Sequence, residues 1–247
     1  MFKVFSQSDV GLVRKSNEDD CRCGVFSENA AWAVVCDGMG GVNGGNIASS
    51  IAVQKISETI LAGYREGMSS DAVRELIVSS IAGANKAVHE MAGTDAMLTG
   101  MGTTVVAVVI SDSIVHVAHA GDSRAYLISP DGELHRLTTD HSVVQEMVDK
   151  GDLTEQQARV HPQKNIITRA LGVESSLQID YSETSILPGS RVLICTDGLT
   201  NYVEEESLSA LSKEYSGKEL TENLIGLAKK AGGGDNITVV LLEDKPE

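Results

Sequence analysis

The chain has 247 residues, 42% hydrophobic and 22% charged, which is enough apolar material for a substantial core and argues against disorder. Its net charge of −15 excludes nonspecific binding to nucleic acid through the phosphate backbone and disfavours docking on an anionic membrane. No run of about 18 apolar residues occurs, and the first residues, MFKVFSQSDVGLVRK, lack the apolar stretch of a secretory signal, so a cytoplasmic protein is expected. Alternation and short apolar runs predict strands over 2–8, 20–27 and 31–37. Helices follow over 45–62, where Ile47, Ile51, Ile56 and Ile60 recur, and over 71–92, where Val73, Ile77, Ile81, Ala84, Val88 and Met91 keep helical spacing. Residues 93–102 read as a loop. TTVVAVVIS and SIVHVAHAG, parted by little more than Asp112, read as a hairpin, and RAYLIS and LHRLT as further strands around the turn SPDGE. The excursion over about 140–175, with Gly151, Pro162 and Gly172, is long enough to be a functional flap. Strands resume over 178–186 and 190–196, helices over about 204–214 and 218–231, and NITVVLLE is a last strand. The closing DKPE reads as the start of a polar tail on a longer chain.

No linker or repeat divides the sequence, so one domain over 1–247 is expected. Helices segregated from mostly consecutive strands indicate an α+β fold of antiparallel sheets, with four helices on the outer faces of two sheets.

Carboxylates recur where apolar strands end beside glycine or a turn: Asp37 in VVCDGMGG, Asp122 in HAGDSRAY, Asp197 in CTDGLTN and Asp235 in GGGDNITVV. Such ends project side chains into a shared cleft, and crowded carboxylates must take up protons or cations. Hard oxygen ligands suit Mg²⁺ or Mn²⁺. Each Asp taken singly also reads as a turn or helix cap. A nucleotide loop at Asp37 fails, because the last glycine of GxGxxG is Asn43 and no GK[ST] follows. Glycine lets a backbone carbonyl approach a cation closely, so Gly38 is a ligand candidate beside Asp37. Arg14, ahead of Asn17-Glu18-Asp19-Asp20, is either part of a surface ion-pair cluster or a guanidinium fork for phosphate. Cys21, Cys23, Cys36 and Cys195 lack zinc-site spacing, and none begins the Cys-x5-Arg signature of thiol phosphatases, so packing thiols are expected.

Taken together, SDVGLVRKSNEDD, VVCDGMGG, MGTTVVAVVI, HAGDSRAY, LTTDHSVV, NIITRALG, CTDGLTN and GGGDNITVVLL resemble, in order and spacing, the metal-dependent serine/threonine protein phosphatases of type 2C in their compact bacterial form. The resemblance runs nearly end to end. It implies a four-layer sandwich of two antiparallel sheets flanked by helix pairs, and hydrolysis of phosphoserine or phosphothreonine by a metal-bridging hydroxide. It implies two Mn²⁺ or Mg²⁺ ions bridged by Asp37, with the Gly38 carbonyl on one and Asp197 and Asp235 on the other. Glu18 and Asp19 would act mainly through metal-bound water. Asp122, with Asp19 as a candidate to share it, would hold a third, weaker ion, and Arg14 would bind the substrate phosphate. Phosphorylated proteins, those of a cognate Ser/Thr kinase, are the implied partners of a monomeric enzyme, and the excursion over 140–175 aligns with the family flap.

The chain departs from the family pattern at Met39, where eukaryotic members often carry a candidate general-acid His, and at Val42, Asn46 and Asn201. A thioether donates no proton, which leaves metal-bound water or a histidine from elsewhere, with His141 and His161 as candidates. The rival readings are an inactive phosphoprotein-binding module, which a missing ligand would favour, and a phosphatase of small molecules or of anti-sigma-factor antagonists.

Overall fold

The computed structural model describes residues 1–40 and 44–244; Gly41, Val42 and Asn43 lie outside the described residues, and with them the departure at Val42. In chain order, β1 (Phe2–Asp9), β2 (Asp19–Ser27) and β3 (Ala30–Met39) lead to α1 (Gly44–Gly63) and α2 (Ser70–Ala92). Next come β4 (Gly102–Thr103), β5 (Val105–Ser111), β6 (Ile114–Ala120), β7 (Arg124–Ile128) and β8 (Leu134–Arg136). The short helices α3 (Val143–Asp149) and α4 (Glu155–Arg159) precede β9 (Asp180–Ser185) and β10 (Arg191–Cys195). A single turn, α5 (Asp197–Thr200), then α6 (Glu205–Glu214), α7 (Gly217–Lys230) and β11 (Ile237–Asp244) complete the order.

The strands form two antiparallel sheets, β1-β11-β10-β7-β8 and β2-β3-β5-β6-β9, with β4 added beside β3. Helices α1 and α2 cover the second sheet over a core that includes Trp32, Val34, Ile56, Ile77 and Val105. Helices α6 and α7 cover the first sheet over Tyr126, Leu193, Leu208, Leu224 and Leu241. Between the sheets lie Val35, Val106, Val117, Ile194 and Val240. This is the expected four-layer α+β sandwich.

The period-2 geometry of a strand explains the unbroken apolar runs. Along β3, Trp32, Val34 and Cys36 face the helices, while Ala31, Ala33 and Val35 face the other sheet. The hairpin at Asp112 is a two-residue turn with φ of 50° at Asp112 and 62° at Ser113, the left-handed pair that matches strand twist.

Several expectations are corrected. Strand β3 does not stop at Asp37 but runs through Gly38 and Met39, because β4 supplies pairing partners Gly38↔Thr103 and Met39↔Gly102. The loop over 93–102 holds a 3-10 turn at Ala96–Leu98, capped by the Asp95 side chain, and the start of β4. Helix α1 seats Ala48, Ala52, Val53, Ile56 and Ile60 innermost, while Ile47 and Ile51 stay half-buried, since alanines let the helix approach the sheet closely. Met91 is 40% exposed although its spacing matched the buried face of α2.

Candidate metal and phosphate site

Strand alternation delivers the site. Cys21, Val35, Ile194, Val240 and Val4 face the space between the sheets. Continuing the same parity to one end of each strand yields Asp19 on β2, Asp37 on β3, Thr196 after β10, Thr238 on β11 and Ser8 on β1. Asp19 and Asp37 are direct register partners. Asp197 opens α5, and Asp235 sits in the turn before β11, so the first sheet contributes its carboxylates from opposite the second. Asp122 lies in the β6–β7 turn, next to Gly121 at φ 115°.

The glycines are imposed by close approach. A Cβ on Gly38 would stand 2.1 Å from the Gly45 carbonyl oxygen and 2.6 Å from that of Glu18. One on Gly198 would stand 1.8 Å from the Asn236 carbonyl oxygen. Threonines then fix the Asp37 backbone: the Asp37 N–H donates to Thr104 Oγ1 at 3.0 Å, and Thr103 Oγ1 donates to the Asp37 carbonyl at 2.9 Å.

The N-terminal segment is moored by Asn236, which the sequence presented only as a turn residue. Its Oδ1 accepts the Glu18 N–H at 2.8 Å, and its Nδ2 donates to the carbonyls of Val10 and Ser16, each at 3.0 Å. This brings Arg14 over the carboxylates. Arg14 Nη2 donates to Asp235 Oδ2 at 2.9 Å, and the guanidinium side chain remains 52% exposed. Glu18 is packed against the start of α1, where a Cβ on Gly45 would meet its carboxyl at 2.9 Å. Asn201, at a departure from the family pattern, donates Nδ2 to Asp197 Oδ2 at 2.8 Å. The departure at Asn46 lies exposed in the first turn of α1.

Mutual repulsion marks the cluster. Burial, then the charges of Asp19, Asp197, Asp122 and Asp235, push Asp37 well above the usual carboxylate range. Burial pushes Asp19 up to about 7 against the hydrogen bonds from Thr238 and Thr196, and pushes Asp197 up to about 6. Asp122 is pushed well up by burial and by Asp197. The donor set fits a hard divalent cation: it is anionic and all-oxygen, and Asp19 Oδ1 and Asp197 Oδ1 are buried without a hydrogen-bond partner.

Among the described residues, the one trio of His, Cys, Asp or Glu whose ligand atoms all lie within 4.8 Å of one another is not in this cluster but is His119, His141 and Asp180. Its hydrogen bonds oppose a cation. His141 Nδ1 accepts the Gly121 N–H at 3.1 Å, so its ring proton sits on Nε2, facing Asp180 Oδ2 at 3.1 Å. His119 Nε2 donates to the Thr139 carbonyl at 2.8 Å, and Arg169 occupies Asp180 Oδ1 at 2.7 Å.

His141 is therefore a buried structural group rather than a free proton donor, and His161 uses Nδ1 to accept the Gln163 N–H at 3.2 Å. Burial also pushes the thiols of Cys21 and Cys195 up to about 12 and those of Cys23 and Cys36 upward, which matches packing rather than nucleophilic cysteines.

The excursion over 140–175 closes at its base through Thr168 N–H to the His141 carbonyl at 2.8 Å and Val143 N–H to the Ile166 carbonyl at 2.9 Å. Its α4 end reaches back to α5, where Arg159 Nη2 donates to the Thr200 carbonyl at 3.3 Å. Between this segment and the carboxylates lies a cleft of about 250 Å³, lined by Asp122, Arg124, Asp140, Arg159, Lys164 and Asp197 among others.

A family model described as Protein phosphatase 2C matches residues 13–229. The serine/threonine phosphatase stp of Listeria welshimeri is 37% identical over 243 residues, covering 96% of this chain and 94% of that protein. The structure of the Streptococcus agalactiae serine/threonine phosphatase superposes with a TM-score of 0.90 at 33% identity, covering 99% of this chain and 100% of that one. The catalytic domain of the serine threonine protein phosphatase PstP in complex with 2 manganese ions superposes with a TM-score of 0.85 at 30% identity, covering 98% and 97%. With its site of half-buried carboxylates at one end of a two-sheet sandwich, the chain belongs to the protein phosphatase 2C family.

Proposed function

We propose that this chain is a metal-dependent protein serine/threonine phosphatase, acting as one catalytic domain on phosphoserine and phosphothreonine in proteins. The observation that carries the reading is the pair of buried, unpartnered carboxylate oxygens on Asp19 and Asp197 in one cluster with Asp235, which the half-exposed guanidinium of Arg14 contacts. Asp37, Asp197 and Asp235 with the Gly38 carbonyl would hold two divalent cations, Asp122 and Asp19 a third and weaker one, and Glu18 would act through intervening water. Bound there, Mn²⁺ or Mg²⁺ supplies Lewis acidity that makes water nucleophilic at neutral pH and offsets charge on the phosphoryl group.

The protein residues supply the rest. Arg14 offers a planar fork of donors to the phosphate and sits on a loop whose backbone is moored by Asn236, so only its side chain has to turn from Asp235 to the substrate. Asn201 and the backbone turn of α5 hold Asp197, and Thr103 and Thr104 hold the strand carrying Asp37. Met39 donates no proton and the His141 ring proton faces Asp180, so the leaving alkoxide would take its proton from water or from His161, whose Nδ1 accepts the Gln163 N–H and whose proton is therefore on Nε2.

The net charge of −15 favours phosphosites in basic sequence and suits a monomer, and the substrates would be proteins phosphorylated by a Ser/Thr kinase. Among the described residues, no helix is long and apolar enough to cross a membrane. The test is phosphate release from a phosphothreonine peptide with Mn²⁺. Turnover that requires Mn²⁺ and disappears in Asp37→Ala is expected; metal-independent turnover, or full activity in that variant, overturns the reading.

A further inference from the structure

Asp19 is held by a chain of hydrogen bonds that all point the same way. Thr238 Oγ1 donates to Asp19 Oδ2 at 2.7 Å and Thr196 Oγ1 donates to the same oxygen at 2.9 Å. A hydroxyl has one hydrogen, so both threonines are then acceptors towards everything else. Thr196 Oγ1 accepts the Thr238 N–H at 3.0 Å. Ser8 Oγ, 2.7 Å from Thr238 Oγ1, must donate to it, and Ser8 in turn accepts from Asn17 Nδ2 at 2.7 Å. Asn17 Oδ1 closes the circuit by accepting the Asp19 N–H at 3.2 Å. Every hydrogen in the network runs towards Asp19 Oδ2, and none reaches Oδ1, which is buried without a partner.

The arrangement crosses between the sheets. Ser8 and Thr238 are register partners on β1 and β11, and Thr196 continues the β10–β11 ladder by donating its N–H to the Thr238 carbonyl at 3.1 Å. Asp19 stands on β2, in the other sheet. Thr196 and Thr238 are both fully buried, at positions whose neighbours of like parity, Ile194 and Val240, are aliphatic. Valine has the shape of threonine, so packing alone does not call for hydroxyls there; Asp19 is the acceptor that does.

We propose that Thr196 and Thr238 are positioning residues for cation binding: their hydroxyls occupy Asp19 Oδ2 and so present Oδ1 as the one oxygen of that carboxylate available to a cation. The proposal rests on the reading of the carboxylate cluster as a cation site. Freed of one hydroxyl, the Asp19 carboxylate can turn, and the cation meets a ligand that must first be ordered. Loss of such a supporting bond typically weakens metal binding about 10–100-fold.

The experiment is calorimetric titration of the full chain with Mn²⁺, comparing wild type with Thr238→Val, Thr238→Ser and Thr196→Val. Each valine variant should weaken at least one class of Mn²⁺ sites about 10-fold or more, and Thr238→Ser should recover most of the affinity. In an Asp19→Asn background, Thr238→Val should cause no further loss, an outcome that a purely structural threonine would not produce. Should Thr238→Val fail to fold, Thr196→Val carries the same expectation. Wild-type affinity in a folded valine variant, or a loss that Thr238→Ser shares in full, overturns the proposal. Asp37→Asn separates the two levels: unchanged Mn²⁺ binding in that variant overturns the cation site itself, whereas its loss alongside a silent Thr238→Val overturns the positioning role alone.

Discussion

Arg14 Nη2 lies 2.9 Å from Asp235 Oδ2, so the group proposed to grip phosphate is bonded to a carboxylate proposed to grip a cation. With Arg14 half-exposed and Asp235 29% exposed, the pair contributes about 0–1 kcal/mol. Arg14 can therefore turn towards a substrate dianion at small cost. Arg14→Ala should lower kcat/KM on a phosphothreonine peptide on the order of 10²–10³-fold. Its Mn²⁺ affinity should hold or tighten by up to about fivefold, because Asp235 is released. Steady-state kinetics and calorimetry on one preparation check the split; weakened Mn²⁺ binding contradicts it.

Proton release should accompany cation binding below neutral pH. Asp19 is pushed up to about 7 and Asp197 up to about 6, and a cation must displace those protons. Titrations in buffers of different ionisation enthalpy should show more protons released on Mn²⁺ binding at pH 6 than at pH 8. A carboxyl whose folded pKa is raised destabilises the metal-free fold as pH climbs through that pKa. The rise in Tm produced by Mn²⁺ should accordingly be larger at pH 8 than at pH 6.

Gly38→Ala and Gly198→Ala should each cost stability without touching a carboxylate. The added methyls would meet backbone oxygens, of Gly45 at 2.1 Å and of Asn236 at 1.8 Å, and backbone yields poorly. A loss of about 1–3 kcal/mol is expected for such overpacking, and a Tm drop of roughly 2–10 °C measured by calorimetry. An unchanged Tm in both variants would contradict the close approach.

Asn236→Ala leaves the Glu18 N–H and the carbonyls of Val10 and Ser16 without their partner. Stability should fall by about 1–3 kcal/mol. Amide exchange should accelerate across residues 10–18, and KM for phosphopeptide should rise because Arg14 rides on that segment. Asn236→Asp should behave no better, since an oxygen would face two carbonyls. Exchange mass spectrometry with steady-state kinetics reads both effects.

The legible parts of this chain were those written in local periodicity. Val73 to Val88 keep helical spacing and are buried on α2, and the Asp112 turn shows the hairpin that its flanking apolar runs indicated. Asp37, Asp197 and Asp235 stood out because glycine or a turn marks where each strand meets the cleft. What could not be read is long-range: Thr196 and Thr238 lie 177 and 219 residues from Asp19, and only strand order brings them to it. Asn236 was similarly hidden, because its partners Val10 and Ser16 sit at the far end of the chain. One signal was present for Thr238, a hydroxyl inside the otherwise aliphatic run ITVVLL. His141 differs for the opposite reason: its place in the excursion made it a candidate proton donor, while its ring is enclosed between Gly121 and Asp180.

Asp19 and Asp37 belong to one sheet, whereas Asp197 and Asp235 flank strands of the other. A cation held among them, as proposed, would act as a clasp across the open end of the sandwich. Supply of divalent metal in the surroundings would then govern two properties together, the chemistry at the phosphate and the mechanical stiffness of the mouth that receives it. A metal-starved enzyme of this design would therefore be loosened at the very edge where the substrate must be gripped.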